Sequence, residues 1–195
     1  MKSYDQVTCR LCKSNNLEEK FLLNDSPLCD EYLKERKAQE TYPLALNLCK
    51  SCNFVQLSHV VPPEIIYKNY IYVTNSSPGL KNHFMKYAQE VSKTLCLNNN
   101  SLVVDIGSND GTLLSYFKNY NNNVIGIEPS KKAADIANNN GIKTYEDFFN
   151  KSLALKIVKN HKKADVITIN NLFANIEDLN HLPRLTWIDW MKTLS

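Results

Sequence analysis

Hydrophobic and polar positions follow two rhythms along this chain, and the change comes near residue 100. Between Gly79 and Leu95, apolar side chains at Leu80, Phe84, Tyr87, Ala88, Val91 and Leu95 recur three and four apart. That spacing lays one stripe along an amphipathic helix. The helix is expected to end at Asn98–Asn100, a run suited to a loop. From Leu102 onward, short β-branched runs alternate with helical stretches. Leu102–Ile106 (LVVDI) reads as a buried strand, 112–120 as a helix, 123–128 (NVIGIE) as a second strand and 130–140 as a second helix, with Gly141 where a helix C-cap favours glycine. Residues 142–149 (IKTYEDFF) give a short third strand and its exit loop, 151–160 a further helix, and 164–170 (ADVITIN) a fourth strand. Strand–helix alternation at this spacing predicts parallel βαβ units, an α/β fold with a partial Rossmann-like sheet.

Residues 1–57 show neither rhythm. They carry two C-x2-C pairs, Cys9/Cys12 and Cys49/Cys52, around a charged stretch (DEYLKERKAQE) expected to be a solvated loop or short helix. A module this small buries too little apolar surface to hold itself together. Four thiolates at about 2.3 Å from a tetrahedral Zn2+ would supply the missing stabilisation. Cys29 and Cys96 are left over and read as ordinary free thiols. Residues 58–98 form a connector, rich in proline and tyrosine at first (Pro62, Pro63, Tyr67, Tyr70, Tyr72, Pro78), that ends in the amphipathic helix.

Composition narrows the function classes. The hydrophobic share is 43%, enough for a true core, and 23 basic against 20 acidic residues leave a net charge of only +3. Such a balance gives no electrostatic case for nucleic acid or an anionic membrane, and a zinc-ribbon nucleic-acid protein is disfavoured for lack of a basic stripe. The N-terminus (MKSYDQVTCR) has no apolar signal core, and no run approaches the ~20 apolar residues that span a bilayer. A cytoplasmic location is expected, where reduced thiols favour metal over disulfide.

The candidate ligand chemistry lies at Asp105-Ile106-Gly107-Ser108-Asn109-Asp110-Gly111, on the exit of the first strand of the sheet. Glycine lets a ligand approach the backbone there, and Asn109 stands where a further glycine is common, asparagine tolerating the left-handed region best of the side-chained residues. Glu128, at the tip of the next strand, can accept hydrogen bonds from both ribose hydroxyls. Acidic groups at this turn would repel a pyrophosphate but suit a ligand with a sulfonium and an ammonium, so S-adenosylmethionine (SAM) is favoured over NAD. Asp147, after the third strand, stands where it could meet the adenine amino group or serve as a surface or helix-capping acid.

The combination resembles one family. The four cysteines, TYPLALNLCKSCNFVQL, NYIYVTNSSPGLKNHF, VVDIGSNDGTLL and GIEPS are similar, in that order from about Cys9 to Leu179, to the sugar C-methyltransferases that act on nucleotide-linked keto-deoxyhexoses. The resemblance implies a zinc module followed by a class I SAM-dependent methyltransferase domain. It also implies a reaction in which a proton α to the sugar ketone is removed and the enolate carbon takes the SAM methyl. By the same resemblance Tyr72, and next Tyr70, would line the sugar pocket. Asn175 stands where the family usually has histidine, so it could hydrogen-bond a substrate but not titrate near neutrality. The family continues past the point where this sequence stops, through the part that completes the sheet and carries the base. The expected organisation is therefore a zinc-binding module (1–57), a connector and helix (58–98), an incomplete SAM-binding Rossmann-like domain (99–180) and an atypical tail (181–195). That tail, HLPRLTWIDWMKTLS after Asn180, reads as unrelated to the ancestral sequence, and its His181 as a surface residue. Two functions are expected: a truncated methyltransferase with its fourth strand left as an apolar edge, or a non-catalytic zinc- and SAM-binding module.

Overall fold

The computed structural model describes residues 2–29, 32–67, 72–172, 175–176 and 179, the side chain of Pro78 excepted. Tyr70 and the segment 181–195, with His181, lie outside the described residues. The chain divides into two units, one holding the described residues up to 67 together with Leu179, the other those from 72 to 176.

The first unit is antiparallel. Strand β1 (Tyr4–Asp5) pairs with a later short strand, and β2 (Leu17–Ser26) forms a long hairpin with β3 (Tyr42–Cys49), whose other edge pairs with β4 (Val55–Leu57). The partner of β1 is β5 (His59–Val60), in the register Asp5↔His59, and the His59 Nδ1 lies 2.7 Å from Asp5 Oδ1. Register shifts on both sides of Phe21–Leu23 mark bulges in the hairpin. Its strands escaped the periodicity reading because β2 is exposed along almost its whole length, so no apolar face alternates. The described part of the charged stretch (32–40) is neither helix nor strand. A short helix α1 (Pro63–Tyr67) follows.

The second unit opens with a 3-10 turn (Thr74–Ser76) and helix α2 (Pro78–Thr94). Phe84 and Ala88 of its stripe are buried, Leu80, Tyr87 and Val91 pack against the same cluster, and Leu95, just past the helix end, is exposed. Next come β6 (Leu102–Ile106), α3 (Thr112–Asn119), β7 (Asn123–Ile127), α4 (Lys131–Asn139), β8 (Thr144–Tyr145), α5 (Lys151–Asn160) and β9 (Val166–Ile169). The four strands form a parallel sheet in the order β8-β7-β6-β9, the order of a Rossmann-like half-sheet extended past its switch point, with β9 at one edge. Alternate residues serve opposite faces. Leu102, Val104 and Ile106 pack with Leu153, Ala154 and Ile157 of α5. Val103 packs with Phe84 and Ala88 of α2 and Leu113, Leu114 and Phe117 of α3. The central strands are thus dry on both faces, as parallel sheets require. Gly141 adopts φ +75 just after the C-cap Asn140 of α4, which matches the expected cap. No helix among the described residues is long and apolar enough to cross a membrane.

Candidate functional site

Two clusters carry chemistry, one in each unit. In the first, the two cysteine pairs sit on turns of the same design. Cys9 N–H donates to Ser14 O and Cys49 N–H to Phe54 O, each at 2.8 Å. The residue after each pair, Lys13 and Asn53, takes a positive φ (64 and 61) and returns its N–H to the carbonyl of Cys9 or Cys49. Each turn therefore points two thiols at one spot. Cys9 and Cys52 sulfurs are 3.6 Å apart, as are those of Cys12 and Cys49, and all four lie within 4.8 Å of one another. Sulfurs at the corners of a tetrahedron around Zn2+ would be about 3.8 Å apart, given a Zn–S bond of about 2.3 Å. Buried Gln56 braces the first turn, accepting from Arg10 N–H (2.8 Å) and donating to Thr8 O (3.0 Å).

The thiols of Cys49 and Cys52 titrate apart. Burial pushes Cys49 up, but the N–H groups of Ser51 and Cys52 and the thiols of Cys12 and Cys52 outweigh it and bring Cys49 down to about 7. For Cys52 the Phe54 N–H favours the thiolate, yet burial and the neighbouring Cys12, Cys9 and Cys49 override it and push Cys52 up to about 12. Four thiolates share this space only around a cation, and a closed four-sulfur shell is the structural kind of zinc site.

In the second unit the strand β6 ends in the turn Gly107–Gly111. Gly107 and Gly111 both take φ 76 and Asn109 takes φ 49, so the asparagine occupies the left-handed conformation expected of it. Gly107 and Ser108 N–H both return to Ile127 O at the end of β7. Asp105 is buried and accepts a 2.6 Å hydrogen bond from the Thr168 hydroxyl, its register partner on β9. Burial first, and then the charge of Glu128, raise Asp105 to about 7 against the opposing pull of Thr168 and Asn170. Glu128 is buried at the neighbouring strand tip, with Oε2 accepting from Asn109 N–H (2.9 Å) and Oε1 from Ser130 N–H (2.8 Å). Burial raises Glu128 as well, against those two N–H groups. Each of its oxygens keeps a further lone pair for a hydroxyl. Burial first, and then Asp105, raise the phenol of Tyr87.

Close packing makes the turn rigid. A Cβ on Gly126 of β7 would fall 2.4 Å from Ser108 Oγ and 2.6 Å from Thr144 Oγ1, so the strand carries no side chain where three chain segments converge. Leu172, after β9, reaches to 3.2 Å of where a Gly107 Cβ would stand. Asp110 faces the chain and not a ligand. Its Oδ1 accepts from the N–H and hydroxyl of Thr112 at the start of α3, and its Oδ2 accepts from Asn75 N–H at 2.8 Å.

The structure thus brings Asp105, Gly107, Asn109, Gly111 and Glu128 around one turn. Asp147 lies exposed on the loop after β8. Tyr72 is 38% exposed, and its carbonyl accepts from Asn109 Nδ2 at 3.0 Å, so its backbone is fastened to the turn. Asn175 is exposed on a turn where its N–H returns to Leu172 O. Sequence reasoning passed over Thr168, Asn170, Thr74 and Asn75. Thr168 was open to discovery, since pairing β6 with β9 in register sets it opposite Asp105. Thr74 and Asn75 carried no local signal, because their partners lie 35 residues away.

Residues 81–194 match a family described as "Methyltransferase domain", and residues 9–67 match one described as "Putative zinc binding domain". The C-methyltransferase NovU of Streptomyces niveus is 25% identical over 177 residues, which cover 89% of this chain and 42% of that protein. The chain thus spans about two fifths of the curated relative it matches. Among solved structures, the plantazolicin methyltransferase BpumL is 20% identical, with a TM-score of 0.45 over 60% of this chain and 45% of that one.

Proposed function

We propose that this chain, which belongs to the methyltransferase-domain family, binds SAM at the Gly107–Gly111 turn and transfers its methyl group to a carbon of a nucleotide-linked keto-deoxysugar in the cytoplasm. The observation that carries the reading is the pair of buried carboxylates, Asp105 and Glu128, at adjacent tips of a parallel sheet. Two buried acids this close to a glycine turn are costly unless a ligand matches them. An ammonium matches Asp105, and two ribose hydroxyls match the spare lone pairs of Glu128. Asp147 is assigned to the adenine amino group. When bound, SAM supplies an electrophilic methyl on sulfonium.

The carbon acceptor is supported by the relation to a C-methyltransferase and by the order of motifs. Carbon becomes nucleophilic only after loss of a proton α to a carbonyl, which leaves negative charge on the carbonyl oxygen. Tyr72 and Tyr70 are assigned to the sugar pocket, and Asn175 to an amide donor for a sugar oxygen. The zinc cluster of Cys9, Cys12, Cys49 and Cys52 is assigned a structural role.

Calorimetric titration with SAM, followed by a methyl-transfer assay on a nucleotide-linked keto-deoxysugar, tests the reading. Binding that is lost in Asp105→Asn and Glu128→Gln, with methyl transfer, is the expected result. Binding without transfer would leave a SAM-holding module, and no binding would refute the assignment of the turn.

A further inference from the structure

The GSNDG turn has two working sides. Its backbone faces the sheet tips, with Asn109 N–H on Glu128 Oε2 at 2.9 Å. The side chains of Asn109 and Asp110 face the segment that precedes α2. Asn109 Oδ1 accepts from Thr74 N–H at 2.9 Å and from the Thr74 hydroxyl at 3.3 Å, while Asn109 Nδ2 donates to Tyr72 O at 3.0 Å. Asp110 Oδ2 takes the next amide, that of Asn75, at 2.8 Å. Thr74 is buried by the arrangement. Asn109 also stands at φ 49, where glycine would be unstrained. An asparagine there bears a conformational cost, and both ends of its amide are used, one accepting and one donating. Aspartate could not donate, and glycine could do neither.

We propose that Asn109 is a positioning residue that couples SAM binding at the turn to the placement of the 72–76 segment, so that the Tyr72 side of the site is set in order when the cofactor is held. This rests on the SAM reading given above. The coupling needs no wire beyond the residue itself, since its N–H touches the ribose-binding acid and its amide holds the segment. By linkage, whatever steadies the turn steadies the segment, and loosening the segment weakens the ligand in equal measure.

The test is hydrogen exchange on the full chain, with and without SAM, read at the amides of Thr74 and Asn75. In the wild type, SAM is expected to slow exchange at both. Asn109→Gly keeps the positive φ and removes three hydrogen bonds. It is expected to leave the far-ultraviolet circular dichroism unchanged, to abolish the SAM-dependent slowing at Thr74, and to weaken SAM by about fivefold or more. Asn109→Asp keeps the acceptor for Thr74 and loses the donor to Tyr72, so an intermediate slowing is expected. A wild-type protein that does not bind SAM would overturn the parent reading and the coupling with it. A SAM-bound Asn109→Gly protein with wild-type slowing at Thr74 would overturn the coupling alone.

Discussion

Up to residue 60, the buried described side chains are Cys9, Ala45, Cys49 and Gln56. Between 102 and 166 the sheet unit buries Leu102, Val103, Val104, Ile106, Leu113, Leu114, Phe117, Ile125, Ile127 and more, on two faces. In the first unit Phe21, Leu22, Leu23, Val55 and Leu57 stand exposed on strands, while the buried described residues include the thiols Cys9 and Cys49. The difference teaches that strand content says little about what holds a unit together. One has ladders but little apolar interior, and a metal held by its four cysteines would supply the stability it lacks. The other carries its own interior and buries the acids Asp105 and Glu128 where a ligand is expected.

Removing the metal should produce the largest effect. Structural zinc contributes roughly 10–16 kcal/mol of apparent binding free energy in small modules. Chelation, or Cys49→Ser, is expected to unfold the hairpin and release one zinc per chain, measured by metal analysis and by exchange at the amides of 42–49. Retained protection there would break the contrast. The matching blow to the second unit is Phe117→Ala, at a side chain with no exposure. It should cost about 3–5 kcal/mol in urea unfolding and leave bound zinc unchanged.

A smaller effect, with the opposite sign, is expected at Asp105. Folded, this carboxyl holds its proton to about pH 7, whereas unfolded it ionises near the ordinary 3.8. Between those limits the folded state binds more protons, so stability falls as pH rises and levels off above about 7. Asp105→Asn removes that loss while keeping an acceptor for Thr168. It should raise the unfolding free energy at pH 8, read by urea titration, by up to about 4 kcal/mol, at about 1.4 kcal/mol per pH unit, change little near pH 4, and abolish SAM binding. Equal stability of the two proteins at pH 8 would show the acid to be solvated. The smallest effect belongs to Leu22→Ser on the exposed strand, expected within about 0.5 kcal/mol of wild type. A larger loss would reveal apolar packing that the first unit does not show.

The same contrast explains what could be read in advance. Leu102–Ile106, 123–128 and 164–170 were legible as strands because little of either face is open to water, which leaves β-branched runs, and α5 matches the expected 151–160, with Asn150 Oδ1 accepting from Leu153 N–H at its start. The zinc ligands were legible because their chemistry sits within each short turn. Strand β2 was not, since LEEKFLLNDS has no buried face to impose a period. Nor was the fastening of Thr74 and Asn75 to Asn109 and Asp110, which depends on side chains meeting across the fold.

Gly126 lies inside a strand, yet Ser108 and Thr144 hydroxyl oxygens fill the space its side chain would need. A methyl group there would press on the same loop that offers the Asn109 amide to Glu128. Variation at this inner position should therefore be as constrained as at the residues that meet a ligand directly, and a mutational map of the protein would mark it as part of the site although no ligand atom need ever reach it.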